Sequence, residues 1–184
     1  MRRLFLVTAA ALAIAGPAAA AVTVIGNSSA RLCFEATETL LTPRADSMRR
    51  CDEALQMEAL SDYDRVATLV NRGILKLRSG KVDDAIVDFD AASARDPRQP
   101  EAYLNKGLAL LRQPGGWEQA MPLFDTALER ETRKPALAYY GRAVAHELAG
   151  RLREAYRDYQ QASRTDPKWS MPMKELARFR VKPQ

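Results

Sequence analysis

One spacing constrains this chain more than any other feature. Ala85, Phe89 and Ala92 form a small–aromatic–small triplet. The spacing returns 35 residues later as Ala120, Phe124 and Ala127, and after another 35 as Ala155, Tyr159 and Ala162. Steps of four and three residues put all three members on one face of a helix. Self-similarity at such a fixed period marks a solenoid, in which each unit buries its apolar face only by stacking on its neighbours. The small residues let a second helix approach closely, and the aromatic fills the space between units. A chain of this kind reads as an interaction scaffold.

More positions agree than the triplet alone. The stretch LVNRGILKLRSGKVDDAIVDFDAASARDP resembles a tetratricopeptide repeat, carrying Gly73, Gly80, Ala85, Phe89, Ala92 and Pro97 where that family has small residues, a turn glycine, an aromatic and a closing proline. A second copy has Gly107, Ala120, Phe124 and Ala127. Its turn, RQPGGW, carries one extra residue, and its closing proline, Pro135, is displaced. The third copy has Ala143, Gly150, Ala155, Tyr159, Ala162 and Pro167. Where the family has an aromatic inside each unit, this chain has Lys76, Leu110 and His146, so aliphatic packing is expected there. The resemblance implies an all-α, right-handed helical solenoid of three helix-turn-helix repeats over 66–99, 100–135 and 136–169.

The composition fits a globular chain: 184 residues, 47% hydrophobic and 28% charged. Residues 1–20 read as a secretory signal peptide. Arg2 and Arg3 are its basic start, Leu4 to Ala15 its apolar centre, and Ala18-Ala19-Ala20 an A-x-A cleavage site. The rival is a retained membrane anchor, but Pro17 interrupts the apolar run. The expected location is therefore outside the cytoplasm: periplasmic first, secreted second.

Residues 21–65 read as a short extended tail followed by a degenerate first hairpin. Asn27 or Ser28 is expected to cap a helix through Thr37, and Asp46 or Ser47 to start a second through Glu58, with Thr42-Pro43 between them. The spacing of Cys51 and Ala54 matches that of Phe89 and Ala92, with a thiol where the aromatic belongs. An exported chain with two cysteines invites a Cys33–Cys51 disulfide. The alternative is two buried free thiols.

Further helices are expected from Asp62 or Asp64 to Ser79, then over Val82–Ala94, Glu101–Arg112, Trp117–Arg130, Ala136–Ala149 and Leu152–Ser163. Pro122 is expected to bend its helix or delay its start. Residues 170–184 are expected to close the array with a capping helix begun by Ser170, since a solenoid needs a polar-faced end.

Little in the sequence carries chemistry. There is one histidine, His146, and no nucleophile elbow, P-loop, metal-ligand spacing or dinucleotide turn. No catalytic residue, cofactor or metal is expected. The acidic run Asp83, Asp84, Asp88 and Asp90 reads as a solvated face. Residues 151–184 hold nine Lys or Arg against four Asp or Glu. That excess gives a rival function, an envelope-surface protein held by its basic end. Nucleic acid is not an expected partner, because no aromatic–basic interleaving accompanies the charge.

The resemblance implies a concave groove lined by the first helix of each repeat. Its floor would be Val70, Ile74, Leu104, Leu108, Tyr140 and Val144, with the amides of Asn71 and Asn105 one repeat apart and Gly141 in the third place. An Asn amide offers a donor and an acceptor to an extended backbone. The expected partner is a protein or peptide presenting an extended apolar segment. The rival occupant is one of the chain's own termini.

Overall fold

A computed structural model describes residues 20–24, 28–39 and 45–179. Residues 1–19 of the expected signal peptide, the Gly26-Asn27 turn, the Thr42-Pro43 break and the last five residues lie outside the described residues. The rest is helical: α1 Ser29–Thr39, α2 Ala45–Met57, α3 Asp62–Arg78, α4 Val82–Arg95, α5 Pro100–Leu110, α6 Trp117–Glu129, α7 Pro135–Leu148, α8 Leu152–Thr165 and α9 Ser170–Leu176. Each helix packs on the next, and α3 also meets α1 and α5, so the array is a helical solenoid.

The triplets do what their spacing requires. Phe89 of α4, Phe124 of α6 and Tyr159 of α8 are buried, and the flanking alanines 85, 92, 120, 127, 155 and 162 are inaccessible. Glycines on the facing helices make the room. A Cβ at Gly73 would lie 2.5 Å from the Phe89 ring. Phe124 is held from two sides, because a Cβ at Gly107 of α5 would lie 2.8 Å from its ring and one at Gly141 of α7 would lie 2.5 Å from it. The same crowding explains why the third repeat has no asparagine beside Tyr140. Any side chain at 141 would displace Phe124. Gly80, at φ +78°, ends α3 by letting the Lys81 N–H reach back to the Lys76 carbonyl.

Local signals shift some boundaries. Ser61 caps α3, its hydroxyl accepting from the Asp64 N–H at 3.1 Å, so neither Asp62 nor Asp64 is the cap. Ser28 accepts from the Arg31 N–H at α1. Helix α9 starts after Trp169 with no side-chain cap, and Ser170 is its first residue. Pro122 does not delay the start of α6. It sits exposed on the sixth residue of a helix that runs from Trp117 to Glu129.

Helices α1 and α2 form a hairpin like those that follow. Cys33 and Cys51 are joined in a disulfide with Cα atoms 4.9 Å apart, and both are buried against Leu75. The bond occupies the place the aromatics fill in later units. In the chain-entropy picture, closing so short a loop contributes about 3 kcal/mol.

Asp83, Asp84 and Asp90 of the acidic run are exposed, but Asp88 is not. Asp88 is 2% exposed and receives a two-pronged bond from Arg72, at 2.8 and 2.7 Å, with Lys76 2.8 Å away. Arg72 also bonds Asp52 of α2 at 2.8 Å. Asp90 pairs with Lys106 of α5, and Asp83 accepts from Gln113. The arrangement recurs at α6–α8, where Arg142 holds Asp158 with two bonds of 2.8 Å and also reaches Asp125. So at three successive junctions a basic residue of one repeat's first helix grips an aspartate of the repeat before it: Arg72–Asp52, Lys106–Asp90 and Arg142–Asp125. The Asp158 hydrogen bond outweighs burial and holds the Arg142 guanidinium far above its ordinary pKa.

The far end is closed by aromatics. Trp169 stacks on Tyr140 with ring centroids 4.9 Å apart, and Phe179 meets Tyr156 and Tyr159 at 5.6 and 5.9 Å. Arg178 bridges Glu147 and Glu175. Removing residues 168–184 strips these rings from the last repeat. The melting temperature is expected to fall by roughly 5–10 °C, the loss of a few kcal/mol of apolar burial in a domain of this size. A calorimetric melt unchanged by the deletion would show that the segment is no cap.

Candidate functional site: the concave groove

The residues expected on the floor of the groove lie on helices α3, α5 and α7. Val70, Ile74, Leu104, Leu108, Tyr140 and Val144 are all at most 5% exposed, as are Asn71 and Asn105. One side of this burial is helix–helix packing. The other is supplied by the chain itself. Residues 20–24 lie across the groove, with Ala20 in the cluster that contains Leu104, Leu108, Tyr140 and Val144, and Val22 and Val24 in the cluster that contains Val66, Val70 and Ile74.

Burial along this strap alternates. Ala20, Val22 and Val24 are 1%, 2% and 5% exposed, whereas Ala21 is half-buried and Thr23 is exposed. That is the period of an extended strand with one face down. The two asparagines hold its backbone. Asn71 grips one residue by both ends: the Val22 N–H donates to Oδ1 at 2.9 Å and Nδ2 donates to the Val22 carbonyl at 2.8 Å. Asn105 does half as much. Its Nδ2 donates to the Ala20 carbonyl at 3.3 Å and to Glu101 O at 2.8 Å, while its Oδ1 is buried with no partner. An unpaired buried acceptor costs about 1–3 kcal/mol, so the second amide is the less contented of the two. The strap runs from α5 towards α3, opposite to the order of the repeats.

The groove's edge holds groups the sequence reading passed over. Glu101, 3% exposed, accepts from the Arg133 N–H at 3.0 Å and fixes the turn before α7. Arg133 in turn donates to the Thr23 hydroxyl at 3.4 Å. Tyr140 serves the cap as much as the groove, since its hydroxyl lies 3.4 Å from Glu175. Burial first, and Glu175 second, push its pKa up to about 12. Beyond the strap a cleft of about 710 Å³ opens between the α6–α7 turn and α9, lined by Arg133, Lys134, Leu137, Lys168 and Trp169 among others.

His146 is half-buried beside Asp158. Burial lowers its pKa despite Asp158, its Nε2 is 3.7 Å from Asp158 Oδ2, and Nδ1 has no partner. Asp158 is already committed to Arg142. Among the described residues no group of three or more His, Cys, Asp or Glu is placed to hold a metal ion, and no helix is long and apolar enough to cross a membrane.

Comparison with known proteins gives this geometry a family context. A sequence model described as tetratricopeptide repeat matches residues 70–114 and 115–168. The NMR structure of the first TPR domain of the human RPAP3 protein superposes with a TM-score of 0.57 at 25% identity, covering 61% of this chain and 87% of that one. The MamA RS-1 ArsTM double mutant superposes with a TM-score of 0.62 at 20% identity, covering 80% of this chain and 76% of that one, a likeness of fold.

Proposed function

The chain belongs to the tetratricopeptide repeat family, and on that premise we propose that it is a non-enzymatic scaffold of the cell envelope that captures an extended apolar segment of a partner protein in its concave groove. A repeat array of this family is a protein–protein interaction scaffold; the envelope, the groove and the apolar segment are the parts proposed. The observation that carries the reading is the pair of asparagine amides above an apolar floor, spaced one repeat apart and aimed at a backbone. Peptide backbone offers the same N–H and C=O in any sequence, so the amides supply grip while the floor supplies selection.

Partner capture from an envelope extract tests it. Leu108→Glu puts a charge on the middle of the floor, where it must be desolvated, and is expected to abolish capture. Asn105→Ala is expected to weaken capture by about 0.5–1.5 kcal/mol, the net worth of a hydrogen bond. If Leu108→Glu folds normally and still captures the same partner, the groove is not the site. If Asn105→Ala lowers only the melting temperature, that amide is structural.

Export is the second part of the reading, supported by the leader-like composition of residues 1–20 and by the Cys33–Cys51 disulfide, a bond at home in an oxidising compartment. The mature protein is expected to begin at or near Ala21 and to weigh two hydrogens less than the dithiol. A mass spectrum of the native protein that retains residues 1–20, or that gains two hydrogens' worth of free thiol without reductant, would overturn this.

The rival, attachment to an anionic membrane surface, draws on exposed Arg153, Arg157, Arg164 and Lys168 near the array's end. Sedimentation with anionic vesicles separates the two. Binding that disappears at high salt and survives Leu108→Glu favours the surface reading.

A further inference from the structure

We propose that the strap, residues 20–24 before leader cleavage and 21–24 once the mature chain begins at Ala21, is an intramolecular copy of the groove's ligand, and that the partner is an extended segment with small or β-branched apolar side chains at alternate positions and a hydrogen-bond acceptor between them, facing Arg133. This rests on the groove reading above and specifies its ligand. Three observations carry it. The strap's inward residues, Ala20, Val22 and Val24, are buried to within 5% while Ala21 and Thr23 are not, so the floor reads every second side chain. Asn71 closes on the Val22 peptide with both donor and acceptor, so this site recognises backbone in an extended conformation. Arg133 reaches the Thr23 hydroxyl, so the outward position between the two valines is met by a cation.

The occupant is an imperfect one. Asn105 stands ready to grip a second residue as Asn71 grips Val22, yet its buried Oδ1 receives no N–H from the strap, and cleavage before Ala21 removes the Ala20 carbonyl that its Nδ2 holds. A segment that satisfies both amides, and places a carboxylate opposite Arg133, has more to gain from the groove than the strap does. The strap acts as a tethered competitor. A short tether holds it at an effective concentration in the millimolar range, which sets a threshold that weak or mismatched segments do not pass.

The test uses the full chain and two labelled peptides of one composition, Ala-Glu-Val-Glu-Val and Ala-Glu-Glu-Val-Val, followed by fluorescence anisotropy. In the second peptide the alternation is broken, so either register turns a glutamate onto the apolar floor. The strap is loosened by Val22→Asp with Val24→Asp, and separately by glycine at both positions. The alternating peptide is expected to bind the loosened chains about tenfold more tightly than the unaltered chain, and at least about tenfold more tightly than the scrambled peptide, with the gain lost on adding Asn71→Ala. Equal binding of both peptides overturns the alternation rule and leaves groove capture standing. Equal affinity for loosened and unaltered chains overturns the competitor role. A loosened, folded chain that binds neither peptide but captures its envelope partner in a Leu108-dependent way overturns the inference alone; loss of that capture as well overturns the groove reading with it. A dimer of the unaltered chain that the valine changes dissolve assigns the strap to a neighbouring copy and overturns the proposal. Failure of both variants to fold makes the strap a structural stave, with the same result.

Discussion

Phe124→Ala is expected to destabilise the protein by about 3–5 kcal/mol, the range for truncating a fully buried aromatic. At a few degrees per kcal/mol in a domain of this size, the melting temperature drops by roughly 10–15 °C. The effect is large because the ring is shared. It fills the space left by Gly107 on α5 and by Gly141 on α7, so its loss opens a cavity on both sides of the junction between the second and third repeats. Gly141→Ala attacks the same contact from the other side, with a methyl group 2.5 Å from the ring, and overpacking of this kind costs about 1–3 kcal/mol. Combining Gly141→Ala with Phe124→Leu is expected to cost less than the two changes summed, since they couple through one space. Thermal melts of the four proteins check this; strict additivity would show that the ring and the glycine do not share that space.

The second large effect is electrostatic. Asp88→Ala leaves the Arg72 guanidinium, and Lys76 beside it, partly buried without their main counter-charge. Removing one partner of a buried pair typically costs 3–5 kcal/mol. Because Arg72 keeps Asp52, the lower end of that range, about 3 kcal/mol, is expected from urea denaturation. Asp90→Ala breaks an equally short contact but a wetter one, the Asp90 side chain being 52% exposed, and should cost under about 1 kcal/mol. If the two substitutions cost the same, burial is not what gives the Asp88 pair its strength.

Asp88 also shows where sequence reading stopped short. It lies three residues after Ala85 and four before Ala92, on the very face the triplet marks as buried. Four aspartates within eight residues drew attention to the charge of the run and away from the phase of its members. The recurrence of Arg72 with Asp88 and of Arg142 with Asp158 was also open to inspection. A basic residue and an aspartate return together at twice the repeat length, which a merely solvated face does not require. The helices were legible because periodicity, turn glycines and interrepeat prolines all agree on them. The burial of the residues assigned to the floor on α3, α5 and α7 was legible through the family resemblance, since equivalent positions of each repeat are equivalent in space. The strap was not, because Val22 meets Asn71 across 49 residues and Ala20 meets Asn105 across 85. No local pattern specifies which groove an extended pentapeptide crosses. What the sequence did offer was the choice of occupants, a partner or the chain's own terminus. The alternation of Ala20, Val22 and Val24, read as a half-buried strand, would have weighted that choice.

The Cys33–Cys51 bond gives the array a direction. A stack of repeats bound only to neighbours has two ends from which it can come apart, and the junction aspartates tie each unit to the one before it, never beyond. At one end the first hairpin is covalently closed. At the other, the last repeat is held by a seven-residue helix and two aromatic side chains, Trp169 and Phe179. Pulled between its termini, such a chain is expected to lose the strap first and then to behave like a zipper with one end sewn shut: it yields from Trp169 backwards, repeat by repeat, and the final step is cut short by the segment between Cys33 and Cys51 that the sulfur bridge does not allow to extend.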